Sequence, residues 1–471
     1  MKSKFSGFRH SANYLSIVLL FTILFISGGC AGERGESKFQ ALDPAPYWSD
    51  DRDEAWRYDL KYLEDTLRAF HAELFSEMSE EDFANAVSTL YHSIPSLTDN
   101  EIKIELSRIV AMIGDAHTEL LLINPLLAPT IDFPLFPYLE HLFHTYPLRV
   151  WWFSDGLFVV GSMTEHTETL GTKIIQIGNK TPEEIKELVK PLIPRSTEEA
   201  IAASSPKYII SPEILHTFGI IDDRENAPFT FEDREGNTFQ LNLSPFNLTL
   251  LSEEDIKNQK FAALSAKQNP LWETALMDIE EDSYPLYLKN PSSNYWFEYL
   301  EDYKTVYFQF NKVRDMPEGK SFASFFKEML DFIDHNDVDK LVIDLRLNGG
   351  GDYTIGESQF KSLGKHKINK EGQISTIIGR GTDSAAIASA EFIKENTSSL
   401  FFGEGVYDTL DMYYHNHSVY LPNSKICFTV AYGRRVFPDT DEQIAPDVRI
   451  AESSQDYFSG RDVVLERILS Y

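Results

Sequence analysis

The stretch that most constrains this chain is residues 341–351, where an apolar run leads into charged residues and three glycines. It reads LVIDLRLNGGG. A short run of branched apolar residues that ends in turn-forming residues predicts a buried strand. Gly349, Gly350 and Gly351 then permit positive φ and close backbone approach, so several N–H groups can point at one bound anion. By itself, a triple glycine more often marks only a tight turn between a strand and a helix.

A second stretch has the same strand-then-helix pattern. Residues 374–379 read ISTIIG, which predicts another short strand, and an alanine-rich helix follows the sequence RGTD. Ser384 then begins that helix, where the helix dipole and free N–H groups favour a nucleophilic alkoxide. Asp383 beside it would oppose the alkoxide, although its charge suits the amino terminus of a substrate. The same residues also fit a simple helix cap.

Taken together, the two stretches resemble the signature of the C-terminal-processing (tail-specific) serine proteases, whose relatives include the core of tricorn protease. LFFGEG at 400–405 and IAPDVRI at 444–450 extend the resemblance over the last third of the chain. It implies an α/β fold with a crotonase-like βαβ-spiral core, and a serine peptidase that hydrolyses polypeptides with Ser384 as its nucleophile. It also implies an oxyanion hole at Gly350 or Gly351 with Ala385.

A histidine motif follows the third predicted helix, at Gly114-Asp115-Ala116-His117-Thr118. A single histidine after a helix is usually structural or solvated. The motif nevertheless resembles the segment that carries the catalytic histidine in tricorn-like members of the family, which implies that His117 takes the proton of Ser384. Asp115 then either orients His117 or only caps the loop.

The sequence departs from the family pattern where many members place the lysine of a Ser–Lys dyad. Thr409 stands at that position, so a Ser–Lys mechanism has no base. The tricorn-like version of the site uses a histidine and a late carboxylate. Glu442 is the candidate for that carboxylate, and a solvated surface charge is the alternative.

The amino terminus predicts export. A basic start precedes an apolar run and the sequence Ser27-Gly28-Gly29-Cys30, which describes a secretory signal of residues 1–29. Cys30 resembles a lipidated cysteine, although Ser27 departs from the usual branched residue and leaves cleavage by signal peptidase I open. The mature chain would keep 40 basic and 73 acidic residues, a net charge near −33. Such a charge argues against nucleic acid and anionic lipid surfaces as partners. The prediction is therefore a lipoprotein outside the cytoplasm, held to the membrane through its lipid only.

The rest of the chain divides into a tether and three predicted domains. Residues 30–46 lack periodicity and predict a tether. Apolar residues at helical spacing and a capping box at Thr98 and Glu101 predict an N-terminal helical domain over 47–124. The region 125–290 is β-rich and resembles a PDZ-like domain, and a β-rich insert without a peptide groove is the equal alternative. Residues 291–471 form the predicted protease core.

Two other function classes compete with the peptidase. A non-catalytic surface lipoprotein that keeps the fold and binds peptides is favoured by Thr409 and Asp383. A crotonase-type acyl-CoA enzyme shares the fold, but export separates it from CoA. The pairs His141 and His144, and His415 and His417, lack the further ligands of a metal site, so we assign no metal and no cofactor. The sequence leaves the substrate and the oligomeric state open.

Overall fold

A computed structural model describes residues 51–123, 141–195, 197–246, 272–276, 279–280, 283–435 and 443–471. The predicted signal, the predicted lipidation site Cys30 and the predicted tether lie outside these residues, as does Glu442. Within the described ranges, no helix combines the length and the apolar character that a membrane span needs.

Three helices open the described chain, each with a side-chain cap at its first turn. The capping box predicted at Thr98 and Glu101 is present, and Ser79 caps the helix before it. Gly114 follows the third helix with φ +72°, a conformation that glycine adopts without strain. The helices are α1 (Arg52–Phe70), α2 (Glu80–Ser93) and α3 (Asp99–Ala111).

An antiparallel sheet of six strands follows, in the order β2-β3-β4-β5-β6 with β7 paired to β3. Alternating burial along β5 shows that one face of the sheet packs on a core. The strands are β1 (Leu120–Leu121), which belongs to another sheet, β2 (Leu148–Phe153), β3 (Gly156–Met163), β4 (Lys173–Ile177), β5 (Ala227–Glu232), β6 (Thr238–Leu243) and β7 (Trp272–Thr274). Three helices lie between β4 and β5, namely α4 (Pro182–Val189), α5 (Glu198–Ile209) and α6 (Pro212–Thr217).

The second sheet of six strands is largely parallel and carries both signature stretches. Its order is β15-β12-β11-β10-β9-β8, and only the β8–β9 pair is antiparallel. Every residue of β9 and β11 is buried, as expected for strands covered on both faces. The strands are β8 (Tyr295–Leu300), β9 (Thr305–Phe310), β10 (Lys340–Asp344), β11 (Ile374–Ile378), β12 (Leu400–Gly403) and β15 (Val448–Arg449). The helices of this half are α7 (Leu286–Lys289), α8 (Phe322–His335), α9 (Glu357–Leu363), α10 (Ala385–Asn396), α11 (Ser454–Phe458) and α12 (Val463–Leu469).

A hairpin near the end of the chain joins the two halves. It consists of β13 (Met412–Tyr420) and β14 (Cys427–Arg435), and β1 pairs antiparallel with β14. This pairing brings the segment just after His117 against the last third of the chain. The hairpin, the N-terminal helices and the antiparallel sheet share one hydrophobic cluster, whereas the parallel sheet packs with α8, α9 and α10 in a second cluster.

Candidate active site

The glycine loop leaves the carboxyl end of β10 and is shaped by one buried asparagine. The Asn348 side chain donates to the Phe310 carbonyl at 2.8 Å and accepts the Gly350 N–H at 2.9 Å. Gly350 and Gly351 have φ of +100° and +142°, which side chains of L-residues rarely tolerate. The amide of Asn348 therefore joins the loop to the neighbouring strand β9.

Gly350 packs directly against Ser384. A Cβ atom at Gly350 would lie 2.7 Å from the Cβ of Ser384 and 2.9 Å from the N atom of Ala385. No side chain fits at such distances, so a glycine is required both for φ and for space. The sequence motif of three glycines and the predicted nucleophile are thus in contact, although 34 positions separate Gly350 from Ser384.

Ser384 lies in a tight turn between β11 and α10. Thr382 closes the turn, because its hydroxyl donates to the Leu345 carbonyl at 2.8 Å and accepts the Gly379 N–H at 3.1 Å. Ser384 itself has φ +54° and ψ −126°, a combination unusual for a residue with a side chain. A serine at a sharp strand-to-helix turn presents its hydroxyl above the sheet, next to the first N–H groups of the helix.

His117 reaches the serine from the other half of the molecule. Its Nε2 lies 3.0 Å from the Ser384 Oγ, across 267 positions of sequence. Its loop is held by the hairpin, since the Thr118 hydroxyl accepts the Ala431 N–H at 3.0 Å and Asn416 donates to the His117 carbonyl at 3.4 Å. The two residues that the sequence could not show to meet are therefore within hydrogen-bonding distance.

Asp115 lies beside His117 and is completely buried. Its Oδ1 accepts the His117 N–H at 2.8 Å and is 4.0 Å from the ring Nδ1, while its Oδ2 is 3.2 Å from the Nε2 of His71. Burial by itself would raise the pKa of Asp115, but the hydrogen bond from His71, the charge of His117 and further hydrogen bonds hold that pKa below its usual value. Asp115 thus both shapes the loop and places a negative charge near the ring of His117.

The three predicted oxyanion donors differ in the state of their amides. The N–H of Gly350 is engaged by the Asn348 side chain at 2.9 Å, so it is not free to bind an oxyanion in this arrangement. In the described part of the chain, no acceptor is found for the N–H groups of Gly351 and Ala385. The glycine predicted as a donor therefore acts here as the residue that makes room for Ser384.

A buried ion pair that no sequence motif predicted lies close to Ser384 and His117. Arg195 Nε is 2.7 Å from Asp408 Oδ1, and both side chains are almost completely buried. Burial raises the pKa of Asp408 to about 6, even though the charge of Arg195 opposes this rise. Burial likewise raises the pKa of Asp383, whose Oδ1 accepts the N–H of Ser384 at 2.7 Å. Thr409, at the position of the missing lysine, donates to the Asp411 carbonyl at 3.1 Å.

Asp344 and Arg346 brace the start of the glycine loop from behind. Arg346 contacts Asp344 and forms two hydrogen bonds, of 3.0 and 2.9 Å, with Asp462 before α12. Tyr307 also donates to Asp344 at 2.7 Å. The polar end of the signature strand is therefore a structural cluster that ties the loop to the end of the chain.

Comparison with known proteins gives a match in structure and none in sequence. No sequence-family profile matches the chain, and no curated protein matches it either. Mature CPAF superposes with a TM-score of 0.57 at 11% identity, covering 88% of this chain and 96% of that chain. Mature CPAF complexed with lactacystin gives a TM-score of 0.57 at 12% identity, covering 89% and 97%. The chain has the fold of mature CPAF.

Other structures superpose with lower scores. They include the photosystem II D1 C-terminal processing protease, with a TM-score of 0.38 at 10% identity over 88% of this chain and 96% of that chain. The match to mature CPAF covers most of both chains and therefore concerns the overall fold.

Proposed function

We propose that this protein is a serine peptidase in which His117 activates Ser384. The observation that carries the proposal is the 3.0 Å distance between His117 Nε2 and Ser384 Oγ, at a serine with strained backbone and beside a glycine loop. Strained backbone persists where the surrounding structure enforces it, and such residues concentrate at functional sites. The likeness to mature CPAF, which has been solved in complex with lactacystin, supports a fold that can hold a ligand at such a site.

In the proposed reaction, His117 Nε2 takes the proton of the Ser384 hydroxyl as Oγ attacks a peptide carbonyl. The carbonyl oxygen gains negative charge and is stabilised by backbone N–H groups. The amides of Gly351 and Ala385 are suited to this, because neither has an acceptor among the described residues. The C–N bond then breaks as His117 gives the proton to the leaving amine. Water, activated by the same histidine, hydrolyses the acyl-serine ester and restores the hydroxyl.

The finer assignments made from sequence belong to the same proposal. We assign the parallel sheet to a crotonase-like core and the antiparallel sheet to a PDZ-like domain that holds the polypeptide substrate. Glu442 is the late carboxylate that the tricorn-like resemblance implies. The basic and apolar amino terminus supports export and lipidation at Cys30, which would place the enzyme outside the cytoplasm on a membrane.

The decisive experiment is labelling with a fluorescent fluorophosphonate, which reacts with activated serines. Wild type should be labelled, whereas Ser384→Ala and His117→Ala should not. Ser389→Ala is the matched control, because Ser389 lies one turn further along α10 and its hydroxyl donates to the Ala385 carbonyl at 3.1 Å. It should be labelled like wild type.

The opposite result would favour the non-catalytic alternative. If the folded wild type stays unlabelled, or if Ser384→Ala is labelled as strongly as wild type, the peptidase proposal is wrong. A peptide-binding lipoprotein that retains the fold would then be the better description, and binding of peptides to the antiparallel sheet would be the property to measure.

A further inference from the structure

The ring of His117 has one nitrogen with a clear role and one without a partner. Nε2 faces Ser384, while Nδ1 is buried and has no hydrogen-bond partner within the part of the chain that the structure describes. A buried ring nitrogen without a partner is unfavourable. The nearest described carboxylate oxygen is Oδ1 of Asp115, at 4.0 Å. A shift of about 1 Å would bring this pair within hydrogen-bonding distance, and such tightening is common when a substrate binds.

Asp115 is held in place from behind by His71. The Nε2 of His71 lies 3.2 Å from the Asp115 Oδ2, and both side chains are completely excluded from solvent. The Glu73 N–H donates to the Nδ1 of His71 at 3.2 Å. Because Nδ1 accepts that hydrogen, the proton of His71 is on Nε2 and points at the carboxylate. His71 is thus a neutral donor with a single orientation.

The surroundings fix this orientation further. His71 follows the last turn of α1, and its N–H donates to the Leu67 carbonyl at 3.0 Å. The ring packs against Tyr413 of the hairpin, with 5.0 Å between ring centres. The hydroxyl of Tyr413 is 2.6 Å from that of Ser76 and donates to the Glu73 carbonyl at 3.2 Å. A residue so enclosed cannot turn away from Asp115 without disturbing the packing between helix and hairpin.

We propose that His71 is a positioning residue of the active site, which acts on His117 through Asp115. This inference rests on the proposed peptidase function and adds Asp115 and His71 to the proposed pair of Ser384 and His117. His71 fixes the Asp115 carboxylate so that Oδ1 faces the His117 Nδ1. That carboxylate favours a proton on Nδ1, which leaves Nε2 free to accept the proton of Ser384.

Other charged groups also interact electrostatically with His117 and would influence the result of any test. Asp383 and Asp408 interact with it from the serine side, and His415 from the hairpin. Arg195 faces Asp115 as well as its partner Asp408. None of these groups hydrogen-bonds to the His117 ring in the described residues, so Asp115 is the group in position to select its tautomer.

The test compares four variants of the full-length protein in detergent. His71→Phe removes the donor and keeps a ring of similar size, whereas His71→Gln retains a donor to Asp115. Asp115→Asn removes the carboxylate charge, and Glu442→Gln removes the competing acid. For each, the maximal rate and the half-saturating concentration of fluorophosphonate labelling are measured. The ¹⁵N resonances of His117 report which ring nitrogen carries the proton, and they do so without any reaction.

We expect His71→Phe to lower the maximal labelling rate about 10- to 100-fold, by analogy with the loss of an outer hydrogen-bond partner of a metal-ligating histidine. The half-saturating concentration should stay nearly constant, because the loss is of reactivity and not of binding. Asp115→Asn should lower the maximal labelling rate by at least as large a factor. The Nδ1–H form of His117 should dominate in wild type and in His71→Gln, and become mixed in His71→Phe and Asp115→Asn.

The proposal is wrong if folded His71→Phe keeps the wild-type rate and tautomer, or if His71→Gln is as impaired as His71→Phe. It is also wrong if only Glu442→Gln alters the tautomer. If His71→Phe does not fold, the tautomer of Asp115→Asn and the rescue by His71→Gln decide in the same way. Absence of labelling in wild type would refute the peptidase function, whereas the resonances would still show whether His71 and Asp115 orient His117.

Discussion

Ser384 and Gly350 depend on each other. The serine has φ +54°, and the glycine beside it has φ +100° and no room for a Cβ atom. Each such backbone costs on the order of 1–3 kcal/mol when a side chain is present. Within this contact the cost is borne at Ser384 and avoided at Gly350. The N–H of Gly350 is held by Asn348, which leaves contact with Ser384 as its main contribution.

At this scale we predict that Gly350→Ala abolishes fluorophosphonate labelling while the protein remains folded. The new methyl group would lie 2.7 Å from the Ser384 Cβ, so the serine or the glycine loop must move. Gly319→Ala is the matched control, since Gly319 has φ +115° and no atom within 4 Å of a Cβ at that position. Gly319→Ala should lose only the stability that the unfavourable φ costs, Gly350→Ala should lose more in urea unfolding because a steric clash is added, and only Gly350→Ala should lose labelling. Equal labelling of the two would contradict the contact described here.

The element that supports the histidine is the hairpin of β13 and β14. Its strand β14 pairs with β1, the strand directly after the His117 loop. Contacts between β14 and the loop involve side-chain groups as well as the backbone. The Thr118 hydroxyl accepts the Ala431 N–H, and the Thr118 N–H donates to the Asp115 carbonyl at 3.1 Å. One threonine therefore links the hairpin to the residue whose carboxylate faces His117.

We predict that Thr118→Val slows labelling and destabilises the protein by about 1–3 kcal/mol, because it leaves the buried Ala431 N–H without an acceptor. Thr118→Ser keeps the hydroxyl and should retain most of both properties. Urea unfolding followed by circular dichroism gives the stability, and labelling rates give the reactivity. If valine and serine behave alike, the hydroxyl is not the part of Thr118 that matters.

At the scale of the whole molecule, buried charges join its two halves. Arg195 lies between α4 and α5, which pack on the antiparallel sheet, and Asp408 belongs to the loop after β12 of the parallel sheet. Arg380 makes a second link, because it lies over the ring of Trp151 at 4.2 Å and donates to the Trp152 carbonyl. A buried ion pair adds little net stability but is costly to break, so it favours one relative placement of the halves.

We predict that Arg195→Met destabilises the protein by about 3–5 kcal/mol at pH 8, since it leaves the Asp408 carboxylate buried without its partner. The pKa of Asp408 in the folded protein is about 6, above its ordinary value of 3.8. The charged carboxylate therefore opposes folding above about pH 6, and this opposition fades as the pH falls through that value. The penalty of Arg195→Met should therefore shrink at pH 5. The double variant with Asp408→Asn should recover stability at pH 8. Urea midpoints at both pH values provide the measurement, and a penalty independent of pH would show that Asp408 is not the cause.

Local patterns predicted the elements, and long-range contacts decided the details of the site. The apolar run before the glycines is β10, and Ser384 does precede a helix, because both depend on neighbours in sequence. The α/β character of the fold could be predicted from the sequence. The contact between Asp115 and His71 could not be predicted, because His71 belongs to no motif and lies 44 positions from Asp115. Nor does any local signal show that Asn348 engages the Gly350 amide.

The pairing of β1 with β14 has a consequence for the order in which the molecule is made. A ribosome releases His117 early, but the strand that braces its loop ends at Arg435, and Ser384 also emerges late. A nascent chain therefore contains the histidine long before it contains the serine or the hairpin that aligns them. Until the hairpin has been synthesised, and on any fragment that stops before it, the strand that holds the His117 loop is missing. The architecture therefore delays the alignment of His117 with Ser384 until β14 has folded against β1.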